Sequence, residues 1–143
     1  MIEENIFIDT NILIYFKTKK SVFFEITNKK LISLYINNEL FISNQVIKEY
    51  LVSISRLSND DSMIKFHLND VNYFTEKFNL LYENTNSKDV LLDLIDKYKV
   101  KGKQIHDANI VATMVANNIK YLFTHNVKDF DRYSSLIKVI PLE

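Results

Sequence analysis

The sequence contains no cysteine, one glycine (Gly102) and one proline (Pro141). Without cysteine, the chain offers no disulfide, no thiolate zinc site and no cysteine nucleophile, a composition that fits a reducing compartment. A single glycine excludes the P-loop and the dinucleotide-binding loop, because both need several glycines at fixed spacing. These absences restrict the available chemistry to the side chains of Asp, Glu, His, Ser, Thr and Lys.

The sequence also lacks an excess of either charge. Its 18 Lys and Arg residues balance 18 Asp and Glu residues, so the formal net charge is zero and the overall basic charge common in nucleic-acid-binding domains is absent. With 143 residues, 47% of them hydrophobic and 25% charged, the composition is typical of a globular chain. No linker, repeat or low-complexity segment interrupts it, so we predict one domain over residues 1–143.

No long hydrophobic run is present. The first residues, Met1 to Glu4, carry no positive charge, and the apolar run from Ile6 to Ile8 stops at Asp9, whereas a signal peptide needs a positive start and a longer apolar region. No stretch approaches the roughly 18 apolar residues of a membrane span. We therefore expect a cytoplasmic protein with no membrane association.

Short apolar runs alternate with amphipathic segments along the chain. Runs rich in β-branched and aromatic residues predict strands at residues 5–8, 41–42, 78–82, 121–123 and 137–140. Apolar residues at three- and four-residue spacing predict helices at residues 12–16, 21–36, 46–54, 60–74, 88–98 and 110–115, with Ser87 as a candidate N-cap. This alternation is typical of βαβ units, so we expect a three-layer α/β fold with a parallel sheet between helices.

Four acidic residues occupy positions where such a fold places its chemistry. Asp9 directly follows the first predicted strand, and Asp129 lies a few residues beyond the fourth. Glu49 lies in the second turn of one predicted helix and Asp107 in the first turn of another, and right-handed crossovers start both helices near the same sheet edge. Since ligands of open α/β sheets bind outside the carboxyl ends of the strands, we expect the four carboxylates to converge.

Converging carboxylates repel one another, which raises their pKa values unless a divalent cation neutralises them. Oxygen donors without cysteine and with little histidine favour Mg²⁺ or Mn²⁺ over Zn²⁺. Taken singly, each acid has an ordinary structural alternative: Asp9 as a helix cap, Asp107 at a helix N-terminus, Asp129 in a turn and Glu49 paired with a lysine. Their joint placement favours a metal site.

Four segments resemble, in order, the sequence motifs of PIN-domain nucleases: FIDTNIL at residues 7–13, ISNQVIKE at 42–49, HDANIVAT at 106–113 and THNVKDF at 124–130. Together they span nearly the whole chain, and the last is the most specific. The length is similar to that of VapC-like toxins of type II toxin–antitoxin pairs. The low glycine content departs from the family and leaves asparagine to serve turns that relatives often build with glycine.

The resemblance implies a five-stranded parallel sheet flanked by helices and a metal-dependent endoribonuclease that hydrolyses RNA phosphodiester bonds. It implies catalytic and metal-binding roles, with one or two Mg²⁺ or Mn²⁺ ions, for Asp9, Glu49, Asp107 and Asp129. It implies supporting polar roles around them for Thr10, Asn11, Thr124 and Asn126. A VapC-like toxin would have RNA as its substrate, a small antitoxin protein as its partner and a homodimeric state.

Lysine outnumbers arginine 16 to 2 and clusters after the first acid and before the third. Four of these lysines are candidate contacts for RNA phosphates: Lys17, Lys19, Lys101 and Lys103. A solubilising role explains any one of them equally well. The three histidines, His67, His106 and His125, lack metal-ligand spacing and are interpreted as surface or packing residues, with His125 a weak candidate for a phosphate contact.

Apolar residues on the first two predicted helices could supply a dimer surface and an antitoxin groove, or belong to the core of the monomer: Phe16, Phe23, Phe24, Leu34 and Tyr35. Two other functions stay open. A catalytically silent PIN-like binding module would have little reason to keep all four acids. A house-keeping nuclease of RNA processing is the weaker alternative for a short chain without an added domain.

Overall fold

The five strands form one parallel sheet in the computed structural model, which describes residues 3–143. They are β1 (Asn5–Ile8), β2 (Glu39–Ser43), β3 (Asn79–Leu81), β4 (Tyr121–Thr124) and β5 (Lys138–Pro141). Their order across the sheet is β3-β2-β1-β4-β5, and every neighbouring pair is parallel. The predicted five-stranded parallel α/β fold is confirmed.

Six α-helices connect the strands: α1 (Thr10–Lys17), α2 (Phe24–Asn37), α3 (Asn44–Ser55), α4 (Ile64–Lys77), α5 (Thr85–Tyr98) and α6 (Gln104–Ala116). Short 3-10 segments precede α4 (Asp61–Met63) and follow β4 (Val127–Tyr133). The strand order reverses direction between β3 and β4, so right-handed crossovers place α1–α4 on one face of the sheet and α5–α6 on the other. Within residues 3–143, no helix is both long and apolar enough to cross a membrane.

The central strand β1 is apolar at three consecutive residues, Ile6, Phe7 and Ile8, each at most 2% exposed. Phe7 pairs in register with Phe41 of β2 and Leu122 of β4. A strand without polar alternation has to be covered on both faces, and this requirement places β1 in the middle of the sheet. Its carboxyl end therefore lies at the point where the strand order reverses, which is the usual ligand position in open α/β sheets.

Several predicted helix boundaries differ from the structure, the most at the last helix, which begins at Gln104 rather than at residue 110. The second helix begins at Phe24 rather than at residue 21, because Ser21 Oγ accepts a hydrogen bond from the backbone N of residue 23 and forms a turn. The fourth begins as a 3-10 turn and continues to Lys77. The fifth is capped by Asn84, not by Ser87, because the two side chains bond reciprocally to each other's backbone N at 3.0 Å and 2.8 Å.

The single glycine lies in the connection between α5 and α6, where Gly102 has a φ of 58°. Two other residues adopt this left-handed conformation, Lys99 with a φ of 53° and Asn118 with a φ of 57°. Asparagine tolerates this region better than most residues. Asn118 therefore fits the expectation that asparagine serves turns in this glycine-poor chain. The left-handed conformation of Lys99 was not predicted from the sequence.

Candidate active site

Asp9 lies at the carboxyl end of β1 and is the N-cap of α1. It is 5% exposed, and its Oδ1 accepts a hydrogen bond from the backbone N of Thr10 at 2.8 Å. Its Oδ2 accepts hydrogen bonds from Thr124 Oγ1 at 2.7 Å and from Asn11 Nδ2 at 3.2 Å. Burial raises the pKa of Asp9, and these three hydrogen bonds oppose that rise. Asp9 thus is a helix cap, the ordinary alternative, and at the same time a buried acid.

Asn11 and Thr124 join α1 to the end of β4. Thr124 Oγ1 accepts hydrogen bonds from Asn11 Nδ2 at 3.2 Å and from the backbone N of Asn126 at 3.0 Å. Asn11 Oδ1 accepts one from the backbone N of His125 at 3.1 Å. Two of the predicted supporting residues therefore act through their side chains. Asn126 takes part through its backbone, as does Thr10, whose buried Oγ1 has no partner among residues 3–143.

Three further acids from separate elements lie within electrostatic reach of Asp9. Burial raises the pKa of Glu49 on α3, and the negative charge of Asp9 raises it further. Burial also raises the pKa of Asp107 in the first turn of α6, and the other three acids carry it to about 7. Asp129 contributes to this effect from the 3-10 segment after β4. The structure therefore brings the four predicted acids close enough together to interact electrostatically.

The chemistry of these donors fits a divalent cation. Within residues 3–143, no three Asp, Glu or His side chains stand close enough together to hold a metal ion as they are arranged. However, Glu49 Oε1 is buried without a hydrogen-bond partner in the same part of the chain, and all four donors are the hard oxygens that Mg²⁺ and Mn²⁺ prefer. A cation held by these four residues would offset the repulsion that contributes to the raised pKa of Asp107.

A second polar network, which we did not predict from the sequence, ties α3 to α6 beside the acids. Gln45 Nε2 donates to the carbonyl of His106 at 2.8 Å, and Asn109 Nδ2 donates to Gln45 Oε1 at 2.7 Å. Asn109 also donates to the carboxylate of Glu83, which accepts a further hydrogen bond from Asn44 Nδ2 at 2.9 Å. Glu83 lies just beyond β3, so the rule that pointed to acids after strands could have found it.

The predicted phosphate-contacting lysines lie in different settings. Lys17 ends α1, and its Nζ lies 3.6 Å from Asp70 Oδ1 and 4.5 Å from the centre of the Tyr73 ring. It would have to leave both partners to reach a phosphate. The other three are exposed in connecting segments and at the N-cap of α6: Lys19, Lys101 and Lys103.

Two cations that the sequence reasoning missed, Lys128 and Arg132, line a cavity together with Asp107 and Asp129. The signal was available, because both lie within three residues of Asp129 in or beside the last PIN-like motif. They bring positive charge to the edge of an otherwise acidic site.

The histidines do not form a metal centre within residues 3–143. His67 is buried and His106 is exposed, as expected of packing and surface residues. His125 packs against two aromatic rings, with ring centres 4.5 Å from Phe23 and 5.6 Å from Tyr15. Its side chain therefore has a packing role, and its contact with phosphate stays a prediction.

Replacing Gln45 by Ala is expected to lower the free energy of unfolding by about 1–3 kcal/mol, because it removes two hydrogen bonds, one to the His106 carbonyl and one from the Asn109 amide, which keeps only Glu83 as acceptor. Urea unfolding measures the change. Asn59→Ala is the matched control, since Asn59 is exposed in a loop and its replacement should stay within about 0.5 kcal/mol. Equal effects of the two variants would show that the network contributes nothing to stability.

Several solved structures share this fold. They include VapBC2 from Rickettsia felis bound to a DNA fragment (TM-score 0.73, 21% identity, covering 96% of this chain and 98% of that chain). A toxin–antitoxin complex from Klebsiella pneumoniae is also similar (TM-score 0.65, 23% identity, 96% and 97% covered). A third is VapC20 from Mycobacterium tuberculosis, described as a sarcin-ricin loop cleaving toxin (TM-score 0.71, 11% identity, 93% and 96% covered).

At identities below 25%, this likeness shows the fold alone, and no curated protein sequence matches the chain. The family model described as PIN domain matches residues 6–136, which include all four motif-like segments. The resemblance found in the sequence is thereby confirmed. The chain belongs to the PIN domain family.

Proposed function

We propose that the chain is an endoribonuclease that uses Mg²⁺ or Mn²⁺ to hydrolyse RNA phosphodiester bonds. Its catalytic metal ligands would be Asp9, Glu49, Asp107 and Asp129. The observation that carries the proposal is the convergence of these four carboxylates at the carboxyl edge of the sheet, where burial and the neighbouring negative charges raise the pKa values of Asp9, Glu49 and Asp107. Placing like charges close together destabilises a folded protein. Such clusters, with their perturbed pKa values, are found mostly at functional sites. Membership of the PIN family supports the same reaction.

When bound, a divalent cation supplies an activated water molecule and stabilises negative charge on the phosphate oxygens. Side chains around Asp9 orient the carboxylate that would bind this cation. Thr124 and Asn11 both donate to Oδ2 of Asp9, so they fix the orientation of that carboxylate, while Oδ1 accepts a single hydrogen bond and keeps a lone pair for a cation. Glu49 offers its unpartnered Oε1. We assign Asp9 and Asp107 as the innermost ligands.

We further propose that this nuclease is the toxin of a toxin–antitoxin pair, acting in the cytoplasm on RNA. Toxin–antitoxin and VapBC proteins of the same fold and nearly the same length support this role. VapC20, which is described as cleaving the sarcin-ricin loop, supports RNA as the substrate class. The native partner would be a small antitoxin protein.

Exposed apolar residues on α2 support a partner or homodimer surface. Ile32 is 54% exposed, Tyr35 45% and Ile36 71%, which is unusual for three neighbouring large side chains. Only Tyr35 was among the residues that we predicted for this surface. Phe16, Phe23 and Leu34 are partly buried and pack against the core, which supports the alternative interpretation, burial in the monomer, although Phe16 also lines a groove with Ile32 and Tyr35.

The test is cleavage of total cellular RNA by protein purified without a partner. We expect cleavage to stop in EDTA and to return with Mg²⁺ or Mn²⁺, and single-stranded DNA of matched sequence serves as a substrate control. The same ions should raise Tm, because a ligand at 100 times its Kd adds about 2.7 kcal/mol of stability. Growth arrest on induced expression would separate a toxin from a house-keeping nuclease.

Cleavage that persists in EDTA would contradict the metal-dependent mechanism. Absence of cleavage under every metal condition, together with an increase of Tm by the metal, would favour the catalytically silent binding module. Growth that continues despite active enzyme would favour the house-keeping role.

A further inference from the structure

A small cavity opens beside two of the four acids. Its volume is about 130 Å³, and it is lined by Gln104, Asp107, Lys128, Asp129, Arg132 and Tyr133. Pockets that hold drug-sized ligands start at roughly 300 Å³, so a whole nucleotide does not fit. The space is large enough for a group of the size of one phosphate.

Arg132 contributes a positive charge to this cavity. Within residues 3–143 it takes part in no salt bridge, although it lies close enough to Asp107 to lower the pKa of that acid. Its contacts are to neutral oxygens: Nη2 donates to Gln104 Oε1 at 3.1 Å, and Nη1 approaches the carbonyl of Tyr98 at 3.5 Å. Since a guanidinium has five N–H donors, at least three remain for a ligand.

Lys128 provides a second positive charge four residues before Arg132, on the same 3-10 segment. Neither side chain can satisfy its charge with a carboxylate within salt-bridge distance in the described part of the chain. Gln104 holds the guanidinium at the wall of the cavity, so Arg132 is positioned before a ligand arrives. A positioned guanidinium beside a flexible ammonium is suited to an oxyanion, since arginine binds phosphate through two parallel N–H donors.

On the basis of the proposed nuclease function, we propose that Arg132 and Lys128 form a subsite for an RNA backbone phosphate next to the phosphate that is cleaved. The acids Asp107 and Asp129 line the same cavity, so a phosphate held by Arg132 and Lys128 lies directly beside the acidic site. The subsite sets the register of the RNA relative to the four carboxylates. It reads the backbone and not the bases, as contacts to phosphate do.

The test is the binding of a fluorescein-labelled, 12-nucleotide single-stranded RNA, measured by fluorescence anisotropy in Mg²⁺ at several salt concentrations. All variants carry Glu49→Gln, which prevents cleavage and lies outside the cavity. Arg132→Gln is expected to raise Kd by about 10- to 100-fold and to reduce the slope of log K against log salt by about 0.7, the value for one phosphate contact of a single strand. Arg132→Lys should keep the slope and recover part of the affinity.

Arg56 offers a matched control, because it is the only other arginine of the chain. It is the C-cap of helix α3, about 10 Å along the helix axis from Glu49 and not among the residues that line the cavity, and Arg56→Gln should leave Kd within about twofold. If Arg132→Gln does not fold, Lys128→Gln serves as the second test variant, because the Lys128 side chain is exposed. It is expected to raise Kd by about 3- to 10-fold.

Equal Kd values and equal salt slopes for wild-type Arg132 and Arg132→Gln would overturn the subsite even if the enzyme cleaves RNA. Competition by inorganic phosphate that depends on Arg132, without an effect on RNA binding, would also overturn it, because the site would then hold only a free anion. If the chain with Glu49 intact does not cleave RNA but Arg132→Gln still weakens RNA binding, the nuclease proposal fails and the phosphate subsite stands.

Discussion

Asp107→Asn is expected to abolish RNA cleavage and, above neutral pH, to raise the stability of the fold. Loss of a cation ligand removes several kcal/mol of transition-state stabilisation, which corresponds to roughly 10³-fold or more in kcat/KM. The same change removes a carboxylate that three other acids repel. The two effects have opposite signs, and a residue with a purely structural role would not produce this combination.

The stability effect depends on pH. The pKa of Asp107 is about 7 in the folded protein and 3.8 ordinarily, so the folded state binds this proton more tightly than the unfolded chain does. Stability from this group is fully present below about pH 4 and is lost as the pH rises through about 7. The difference corresponds to about 4 kcal/mol, which partial exposure to solvent reduces to about 2 kcal/mol.

Asparagine stays neutral at every pH, so Asp107→Asn should raise Tm at pH 8 by roughly 4–8 °C and change it little at pH 4. Thermal unfolding followed by circular dichroism at the two pH values measures this. Asp93→Asn is the matched control, because Asp93 is exposed on α5 and its replacement should alter neither cleavage nor Tm. Full cleavage by Asp107→Asn in saturating Mg²⁺ would remove Asp107 from the site.

Thr124→Val is expected to have the second largest effect, because a single buried hydroxyl serves three partners. Thr124 Oγ1 donates to Asp9 Oδ2 at 2.7 Å and accepts hydrogen bonds from Asn11 Nδ2 and the backbone N of Asn126. Valine has the same shape and removes all three hydrogen bonds, so the backbone N of Asn126 loses its acceptor, while Asp9 Oδ2 and Asn11 Nδ2 keep the 3.2 Å hydrogen bond between them. We expect a loss of about 2–4 kcal/mol in the free energy of unfolding and at least a tenfold loss of kcat/KM.

The hydrogen bond from Thr124 also lowers the pKa of Asp9 against the effect of burial. In Thr124→Val that pKa rises further, so Asp9 ionises at a higher pH, and the acidic limb of the pH–rate profile should move upward. Urea unfolding and a pH series of cleavage rates measure the two effects. A shifted pH profile separates a role in holding Asp9 from a loss of folded protein, which would lower the rate equally at all pH values.

Thr113→Val provides a close control for this substitution. Thr113 is fully buried in α6, and its Oγ1 has no hydrogen-bond partner among residues 3–143. Its replacement by valine removes an unsatisfied polar atom and should be neutral or stabilising. A loss of stability as large as that of Thr124→Val would mean that threonine packing, rather than the hydrogen bonds to Asp9, explains the result.

The predictable parts of this protein were those that depend on neighbours in sequence. The apolar run of β1 predicted a buried strand, and the positions of Asp9 and Asp107 after a strand and in the first turn of a helix followed from local patterns. Helix boundaries were less certain, since Asn84 competes with Ser87 for the N-cap and both belong to one capping box. Local patterns restrict which residue types can be the N-cap of a helix, but they do not decide between two suitable residues three positions apart.

Lys17 illustrates where proximity in sequence misleads. It lies eight residues after Asp9, but α1 separates the two by about 12 Å, and the Lys17 ammonium turns to Asp70 and Tyr73 of α4. Lys128 and Arg132 are close to the acids in space and formed no conspicuous lysine cluster in the sequence. For Lys17 and Arg132, position along the chain was therefore a poor guide to position relative to the acids.

By itself the sequence determined the strand and helix types, the absence of thiol and glycine-loop chemistry, and the four carboxylates within PIN-like motifs. Only the tertiary structure decided that these acids interact electrostatically and that Gln45 meets Asn109 across 64 residues. It also decided that Arg132 lines a cavity without a salt bridge to any of residues 3–143. The reason is physical. Backbone preferences act over a few residues, whereas pKa values and ion pairing depend on distances that only the packed sheet and helices establish.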